Sequence, residues 1–330
     1  MTQAATEFSV LIVAYRSQGT IDRCLDALAR QTVRPAQVLL LENGSPHGER
    51  LDETTLPDWV QFIASDENLG FAGGNNKLAR EVICEWVVLL NPDAYPHPDW
   101  LEQIEKATRR MPDVNLFGST QYVADQDGVF DGCGDVYHAA GLAYRAEYGK
   151  RLTAPPPTGR VFAGCGAALA VRRQTWDALG GFDEHFFCYN EDVDLGYRAR
   201  LLGWHTVQLA DAKVDHLGYG SSGRRSEFAT YYGVRNRLWV FLRNTPGWGL
   251  ILLAPGHVLA TLALWLSAAR FGQFRLFGRA IRDGLRDWPR IRRERKALQA
   301  QRTVSVRDVL SAMTWNPLAL LTRASDTRPL

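Results

Sequence analysis

The sequence predicts an α/β chain: a parallel sheet with helices on both faces, continued by a helical C-terminal extension. Two observations carry this. Short apolar, β-branched runs alternate with segments of helical spacing over the first hundred residues, and strand–helix–strand alternation builds parallel sheets. Beyond about residue 240 the pattern changes to an apolar stretch and then an arginine-rich helical stretch, with no strand between them. A chain of 330 residues is long enough for one large α/β domain plus an extension. The division is placed at 1–240 and 241–330.

Each element follows in order. Residues 8–14 (FSVLIVA) read as a buried strand. Ile21, Leu25 and Leu28 fall on one helical face and predict a helix over 21–31. Residues 38–41 form a second buried strand, closed by the turn Glu42-Asn43-Gly44-Ser45. A third strand covers 60–64, a second helix 75–84, and a fourth strand 87–90, which ends in Asn91-Pro92-Asp93. In open α/β sheets ligands bind beyond the carboxyl ends of the strands, and Glu42 and Asp93 both lie there. Residues 118–157 are rich in glycine and polar residues and end in three prolines. They read as an excursion over the site containing a hairpin. Residues 161–171 (VFAGCGAALAV) read as a small-residue strand, whose glycines mark close approach of a ligand or another backbone. A further helix is predicted over 192–202.

Composition narrows the function classes. Hydrophobic residues make up 46% and charged residues 22%, as in an ordinary folded protein. A net charge of +2 gives no electrostatic case for nucleic acid. The five cysteines (Cys24, Cys84, Cys133, Cys165, Cys188) include no CxxC pair, and so scattered a set fits a reducing, cytosolic setting better than a disulfide framework. The first ten residues hold no basic region followed by an apolar run, so no secretory signal is expected.

Four segments hold residues suited to chemistry. Asp93, just past a strand end, is an oxygen ligand of the kind hard cations such as Mg2+ or Mn2+ accept; the competing reading is a solvated aspartate in an Asn-Pro turn. In 189–195 (YNEDVDL) three carboxylates fall within four residues. A helix N-terminus favours negative charge, and Asp194 is spaced i,i+4 from Arg198, a structural pair. That leaves Glu191 and Asp192 as candidates for a base that takes a proton from a hydroxyl nucleophile. His216 follows an apolar strand and precedes the glycine-rich loop 217–223; it reads either as a satisfied structural histidine or as a metal ligand offering a neutral nitrogen. Residues 67–76 (ENLGFAGGNN) bring glycines up to a helix start, where backbone N–H groups can meet a phosphate; alone the pattern is also a plain loop.

The order of these segments resembles family 2 glycosyltransferases of the GT-A fold, and within them bacterial rhamnosyltransferases of cell-surface polysaccharide assembly. The matching pieces are 9–15 (SVLIVAY), 42–45 (ENGS), 67–76, 90–93 (LNPD), 180–187 (GGFDEHFF), 191–195 (EDVDL), His216 and 232–236 (YGVRN), together covering residues 7 to 245. The resemblance implies an inverting, metal-dependent transfer of a sugar, L-rhamnose from dTDP-rhamnose, to a glycan or lipid-linked acceptor. UDP-galactofuranose or another UDP-sugar is the alternative donor, and a catalytically inactive sugar-binding relative is the alternative from another class. The resemblance further implies that Asp93 and His216 hold Mg2+ or Mn2+, with Asn91 replacing the first aspartate of the family's metal motif. Asp192 would be the base and Glu191 its neighbour that orients it or meets the acceptor. Ala14, Tyr15, Glu42, Asn68, Gly73, Asn76, Asn91, Pro92 and Asp93 would bind the nucleotide-sugar, with Glu42 accepting the N3–H of uracil or thymine. Gly164, Cys165, Gly166 and Arg235 would meet the acceptor.

The tail points to a membrane. Residues 250–269 are mostly apolar, long enough to span a bilayer, though interrupted by Pro255, Gly256 and His257. Phe271, Phe274, Phe277, Ile281, Leu285, Trp288 and Ile291 then recur at steps of three or four, with arginines between them. Such a basic amphipathic pattern suits an anionic membrane surface, here the cytoplasmic face of a bacterial inner membrane; packing on the catalytic domain or a dimer contact is the competing reading.

Overall fold

The computed structural model describes residues 7–218 and 226–330. The loop expected over 217–223 and the first six residues of the N-terminal stretch therefore fall largely outside the described residues. The elements run β1 (Phe8–Ala14), α1 (Ile21–Ala29), β2 (Gln37–Asn43), β3 (Val60–Ser65), α2 (Gly70–Ala79), β4 (Trp86–Leu90), β5 (Ala94–Pro96), α3 (Trp100–Arg110), β6 (Leu116–Val123) and β7 (Phe130–Gly132). They continue as β8 (Asp135–His138), β9 (Leu142–Arg145), β10 (Gly159–Val161), β11 (Ala168–Arg172), α4 (Arg173–Leu179), α5 (Glu191–Leu201) and β12 (Thr206–His216). The C-terminal part is helical: α6 (Glu227–Asn244), α7 (Gly247–Ala268), α8 (Phe274–Arg286), α9 (Trp288–Gln301), α10 (Val306–Ser311) and α11 (Pro317–Thr322).

The central sheet has the order β10-β12-β6-β11-β4-β1-β2-β3. Strands β4, β1, β2 and β3 are parallel neighbours, as are β6 and β12, while β11 runs antiparallel between β4 and β6. This is the mostly parallel, helix-flanked sheet that the sequence predicts. All seven residues of β1 and of β2 are buried, because helices cover both faces and a strand buried on both sides reads as one apolar run. Alternate side chains feed two cores. Val10, Ile12, Leu40 and Val88 pack with Leu25 and Leu28 of α1 and Trp100 and Ile104 of α3. Leu11, Val13, Leu39, Leu41 and Leu89 pack with Ala72 and Leu78 of α2 and Leu195 of α5.

Three elements differ from expectation. The second helix starts at Gly70 rather than residue 75, so the glycine run forms its first turns. The reason is close packing: a Cβ on Gly74 would lie 2.7 Å from Cγ1 of Val13. Residues 116–123 form a central strand, so the excursion begins only after β6; it does contain a hairpin, β8–β9. The single strand expected over 161–171 is two, β10 and β11, and the loop between them crosses the strand ends.

The extension packs back on the sheet domain. Trp239, Phe241, Leu253, Ile291, Leu310 and Met313 share a core with Tyr137, Phe162 and Tyr197. α6 itself runs through the expected boundary at 240. All five cysteines are free.

Candidate active site

A cleft of about 760 Å³ opens beyond the carboxyl ends of β1, β2 and β4. Among the residues lining it are Tyr15, Asn68, Asn91, Pro92, Asp93, Cys165, Gly166, Glu191, Asp192 and His216. The candidates for metal ligand and base therefore share one cavity, although they come from widely separated parts of the chain.

Strand pairing brings Asp93 to His216. The chain leaves β4, turns through Asn91-Pro92-Asp93 and enters β5, which runs antiparallel to the end of β12 with Ala94 opposite His216. The amide of Leu217 donates to the carbonyl of Asp93 at 2.9 Å. As a result Nε2 of His216 lies 3.4 Å from Oδ1 of Asp93, and Nδ1 lies 2.7 Å from Oδ2 of Asp131. Burial disfavours the imidazolium, yet hydrogen bonds to Asp131 and Asp93 and their charges outweigh it and hold His216 up at about 9. Against its own burial, the hydrogen bond and charge of His216 hold Asp93 below its usual value, the charge of Asp131 opposing them.

These residues fit a divalent cation. Asp93 offers a carboxylate oxygen, and Asp131 behind Nδ1 fixes the ring so that Nε2 faces Asp93, the support that metal-ligating histidines commonly receive. Oδ1 of Asn91 is buried there with no hydrogen-bond partner. A second group, Asp183, His185 and Glu294, places three ligand atoms within 4.8 Å of one another. There, Asp183 and Glu294 are occupied by Arg243 and Arg290. That group is an ion-pair network joining α6 and α9 to the turn before α5.

Asp192 sits in the first turn of α5. Its Oδ2 accepts from the amide of Gly166 at 2.9 Å, and its Oδ1 from the amide of Val193 at 2.8 Å. Glu191 is buried, and its Oε2 has no partner. Burial first, then the charge of Asp192, pushes the Glu191 carboxyl well above the usual carboxylate range. Asp194 points away into the domain, bound by Arg198 at 2.7 Å and by Asn244 at 2.7 Å, the structural role its spacing predicts.

The turn entering α5 is strained. Phe187, Tyr189 and Asn190 all have positive φ (63°, 72° and 66°), a conformation that costs a non-glycine residue on the order of 1–3 kcal/mol. Asn236, fully buried in α6, holds it. Its Nδ2 donates toward the carbonyls of Phe186, Cys188 and Tyr189 at 2.9, 2.9 and 2.7 Å.

Several expected contacts are redirected. Glu42 does not line the cleft; its two oxygens accept from the amides of Ser45 (2.8 Å) and Leu51 (2.9 Å), so it fastens the loop after β2. Successive side chains of a strand face opposite ways, and the next residue, Asn43, is the one in the lining. Ala14 is fully buried and outside the lining, which Val13 and Tyr15 supply. Gly73 lies against Leu69 inside α2. Asn76 grips the carbonyl and amide of Phe182 at 2.8 and 2.9 Å. Gly164 is a packing glycine, its Cα face against Gly118 and Leu169. Arg235 donates to the carbonyls of His185 and Phe186 at 2.8 and 3.2 Å, and so supports the strained turn.

Other lining residues were not singled out in the sequence: Asn43, Phe187, Tyr189 and Tyr232 stand in its recognisable segments but were assigned no role, and Asp135, Arg145, Phe228 and Arg323 lie outside them. Asp131, outside the lining but behind His216, was likewise not singled out. Phe228 and Arg323 stand in segments with no strand-end or glycine-rich pattern.

Comparison with known proteins identifies the family and the fold. A family model described as glycosyltransferase like family 2 matches residues 5–241. N-acetylglucosaminyl-diphospho-decaprenol L-rhamnosyltransferase of Mycobacterium tuberculosis is 29% identical over 244 residues, covering 65% of this chain and 77% of that protein. Among solved structures, GalNAc-T7 with UDP, GalNAc and Mn2+ aligns with a TM-score of 0.58 at 14% identity, over 72% of this chain and 48% of that one. S. aureus TarS aligns with a TM-score of 0.54 at 14% identity, over 93% and 55%. This chain thus spans about half the length of either structure, and the likeness establishes the fold, GT-A.

Proposed function

This chain belongs to glycosyltransferase family 2, and from that premise we propose that it is an inverting enzyme that moves L-rhamnose from dTDP-rhamnose to a lipid-linked glycan acceptor. The observation that carries the reading is the gathering of Asp93, His216 and Asp192 in one cleft. The rhamnosyl transfer and the lipid-diphosphate acceptor come from the mycobacterial relative.

In this reading the nucleoside lies over the end of β1, by Tyr15 and Asn43, and Asn68 frames its far side. Asp93 and His216 would hold Mg2+ or Mn2+, which when bound would neutralise charge on the diphosphate leaving group. Asp192 takes the proton of the acceptor hydroxyl while that oxygen attacks the anomeric carbon. The bond to the diphosphate breaks on the opposite face, so one displacement inverts the centre. The amides of Gly166 and Val193 aim the carboxylate. Glu191, whose carboxyl burial and the charge of Asp192 push well above the usual carboxylate range, lies beside the base on the cleft wall.

The extension supports a peripheral site on the cytoplasmic face of the bacterial inner membrane. Gly247–Phe271 is long and apolar enough to cross a membrane, with a mean hydropathy of 1.9 over its most apolar 18 residues. Its residues Ile251, Leu259 and Leu266 are 79%, 70% and 68% exposed, and exposed arginines of α8 and α9 follow. An apolar face flanked by arginine suits an anionic bilayer. Flotation with vesicles containing phosphatidylglycerol tests this; full-length protein that remains in the soluble fraction would overturn it.

The activity is tested by incubating the full chain with dTDP-rhamnose and a prenyl diphosphate-linked N-acetylglucosamine, with Mn2+ or Mg2+, and assigning the anomeric configuration of the product. Transfer from a UDP-sugar in place of dTDP-rhamnose would overturn the donor assignment, and a retained configuration the single displacement.

A further inference from the structure

We propose that Arg323, delivered to the cleft by the C-terminal tail, recognises a phosphorylated, anionic group on the acceptor. The inference rests on the lipid-linked acceptor proposed above and assigns a residue to it. Arg323 lies outside the segment matched by the family model, which ends at residue 241, yet it lines the same cleft as Asp192.

The tail is built into the domain on both sides of this residue. Upstream, Thr314 pairs with the strand β8: its amide donates to the carbonyl of Tyr137 at 3.1 Å, and its carbonyl accepts from Ala139 at 2.9 Å. Downstream, Arg328 and Arg160 exchange two backbone hydrogen bonds, at 2.8 and 2.9 Å. Gly159 permits that approach, since a Cβ there would lie 2.5 Å from the carbonyl oxygen of Arg328. Around Arg323 itself, its carbonyl accepts from the amide of Glu147 (2.8 Å), the hydroxyl of Tyr144 donates to Ala324 (2.9 Å), and the amide of Ser325 donates to Glu147 (2.7 Å). The position of Arg323 is therefore determined by the fold.

Two features single out its side chain. Arg323 closes α11 in the left-handed conformation, φ 50° and ψ 38°, a place where helices usually put glycine. An arginine in place of glycine there presents a guanidinium from a fixed backbone position. That group lies 4.9 Å over the ring of Tyr148. The other cations of the cleft are occupied: Arg16 pairs with Glu49 at 3.3 Å and Arg145 with Asp131 at 2.5 Å. Among the described residues, Arg323 has no carboxylate within ion-pair distance. A planar guanidinium seated on an aromatic ring and left without an acidic partner matches the two-pronged geometry of a phosphate.

Placement assigns the anion to the acceptor. Arg323 belongs to the wall formed by Tyr144, Arg145 and Tyr148, beside Asp135, whose carboxyl is close enough to Asp192 to feel its charge. The base must meet the acceptor hydroxyl, so this wall is the acceptor's. The nucleotide end is made instead by the ends of β1 and β2.

The test uses the full chain and two acceptors that differ in the diphosphate: a short prenyl diphosphate N-acetylglucosaminide and the matching prenyl N-acetylglucosaminide without phosphate. For the wild type, kcat/KM should favour the charged acceptor. In Arg323→Gln that preference should fall about tenfold or more, as expected for a lost charge-assisted hydrogen bond, through KM for the charged acceptor. Arg323→Lys should restore part of it, and the thermal unfolding midpoint checks that the tail remains docked. An equal loss on both acceptors, no loss on either, or a rise confined to KM for the donor would overturn the assignment while the acceptor reading stands. A wild type that gains nothing from the diphosphate would overturn the lipid-diphosphate reading itself, and the role of Arg323 with it.

Discussion

His216 and Asp131 are joined, side chain to side chain, at 2.7 Å inside the protein, each about 3% exposed. Asp131 comes from the short strand β7 and His216 from the end of β12, and the contact leaves Nε2 of the histidine facing Asp93.

The first prediction follows from that contact. Replacing Asp131 by Asn keeps the shape but removes the charge that orients the ring and makes it a better ligand. Supporting residues of this kind are typically worth about 10–100-fold in metal affinity. The Mn2+ concentration that half-activates Asp131→Asn should rise on that scale. An activation curve superimposable on the wild type would remove Asp131 from the metal's support.

Asp192→Asn should lower kcat by about 10²–10⁴-fold, the range of general-base catalysis. Both hydrogen bonds from Gly166 and Val193 go to the side-chain oxygens, so an amide loses one acceptor and the helix start stays in place. Thermal unfolding and donor binding by calorimetry should remain close to wild type. Near-normal turnover would transfer the base role to another group.

Glu191 gives a pH-dependent stability. Its carboxyl is held well above the ordinary range, so the folded state binds a proton that the unfolded chain releases at lower pH. A group raised in the fold contributes its stability below the unfolded pKa and loses it as pH rises through the folded one. Glu191→Gln, neutral at every pH, should be more stable than the wild type in alkaline urea titrations, with the difference fading in acid. A constant difference across pH would contradict the buried, protonated state.

Asn236→Ala removes the donor that grips three carbonyls of the turn before α5. Leaving buried carbonyls unpaired costs about 1–3 kcal/mol, and the strained backbone at Phe187, Tyr189 and Asn190 loses its clamp. Both the unfolding midpoint and kcat should fall, the second because Asp192 begins two residues after the turn. A destabilised variant with unaltered kcat would separate the clamp from the chemistry.

Gly74→Ala tests the helix start that the sequence pattern misplaces. The added methyl would sit 2.7 Å from Val13, and overpacking of this size costs about 1–3 kcal/mol. Chemical denaturation measures it; a stabilised variant would show that α2 can move off the sheet.

The sequence by itself determined the sheet, the flanking helices and the strand-end location of the site, because strands buried on both faces leave apolar runs and helices leave a period of three to four. It also singled out Asp93, Asp192 and His216, each beside a strand end or helix start, and the structural pair of Asp194 with Arg198, which is local. Only the tertiary structure decided which side chains face the cleft. Glu42 and Asn43 are neighbours on one strand, and a one-residue alternation sends the carboxylate to its own loop and the amide to the site. Gly164, Asn76 and Arg235 look like site residues by position, yet contacts with distant segments turn them to packing and to bracing the turn. Asp135 and Arg323 reach the cleft, and Asp131 the back of His216, through short strands and a tail that the strand-to-helix pattern does not describe. Periodicity is written in neighbouring residues, whereas the facing of a side chain depends on what folds against it from a hundred residues away.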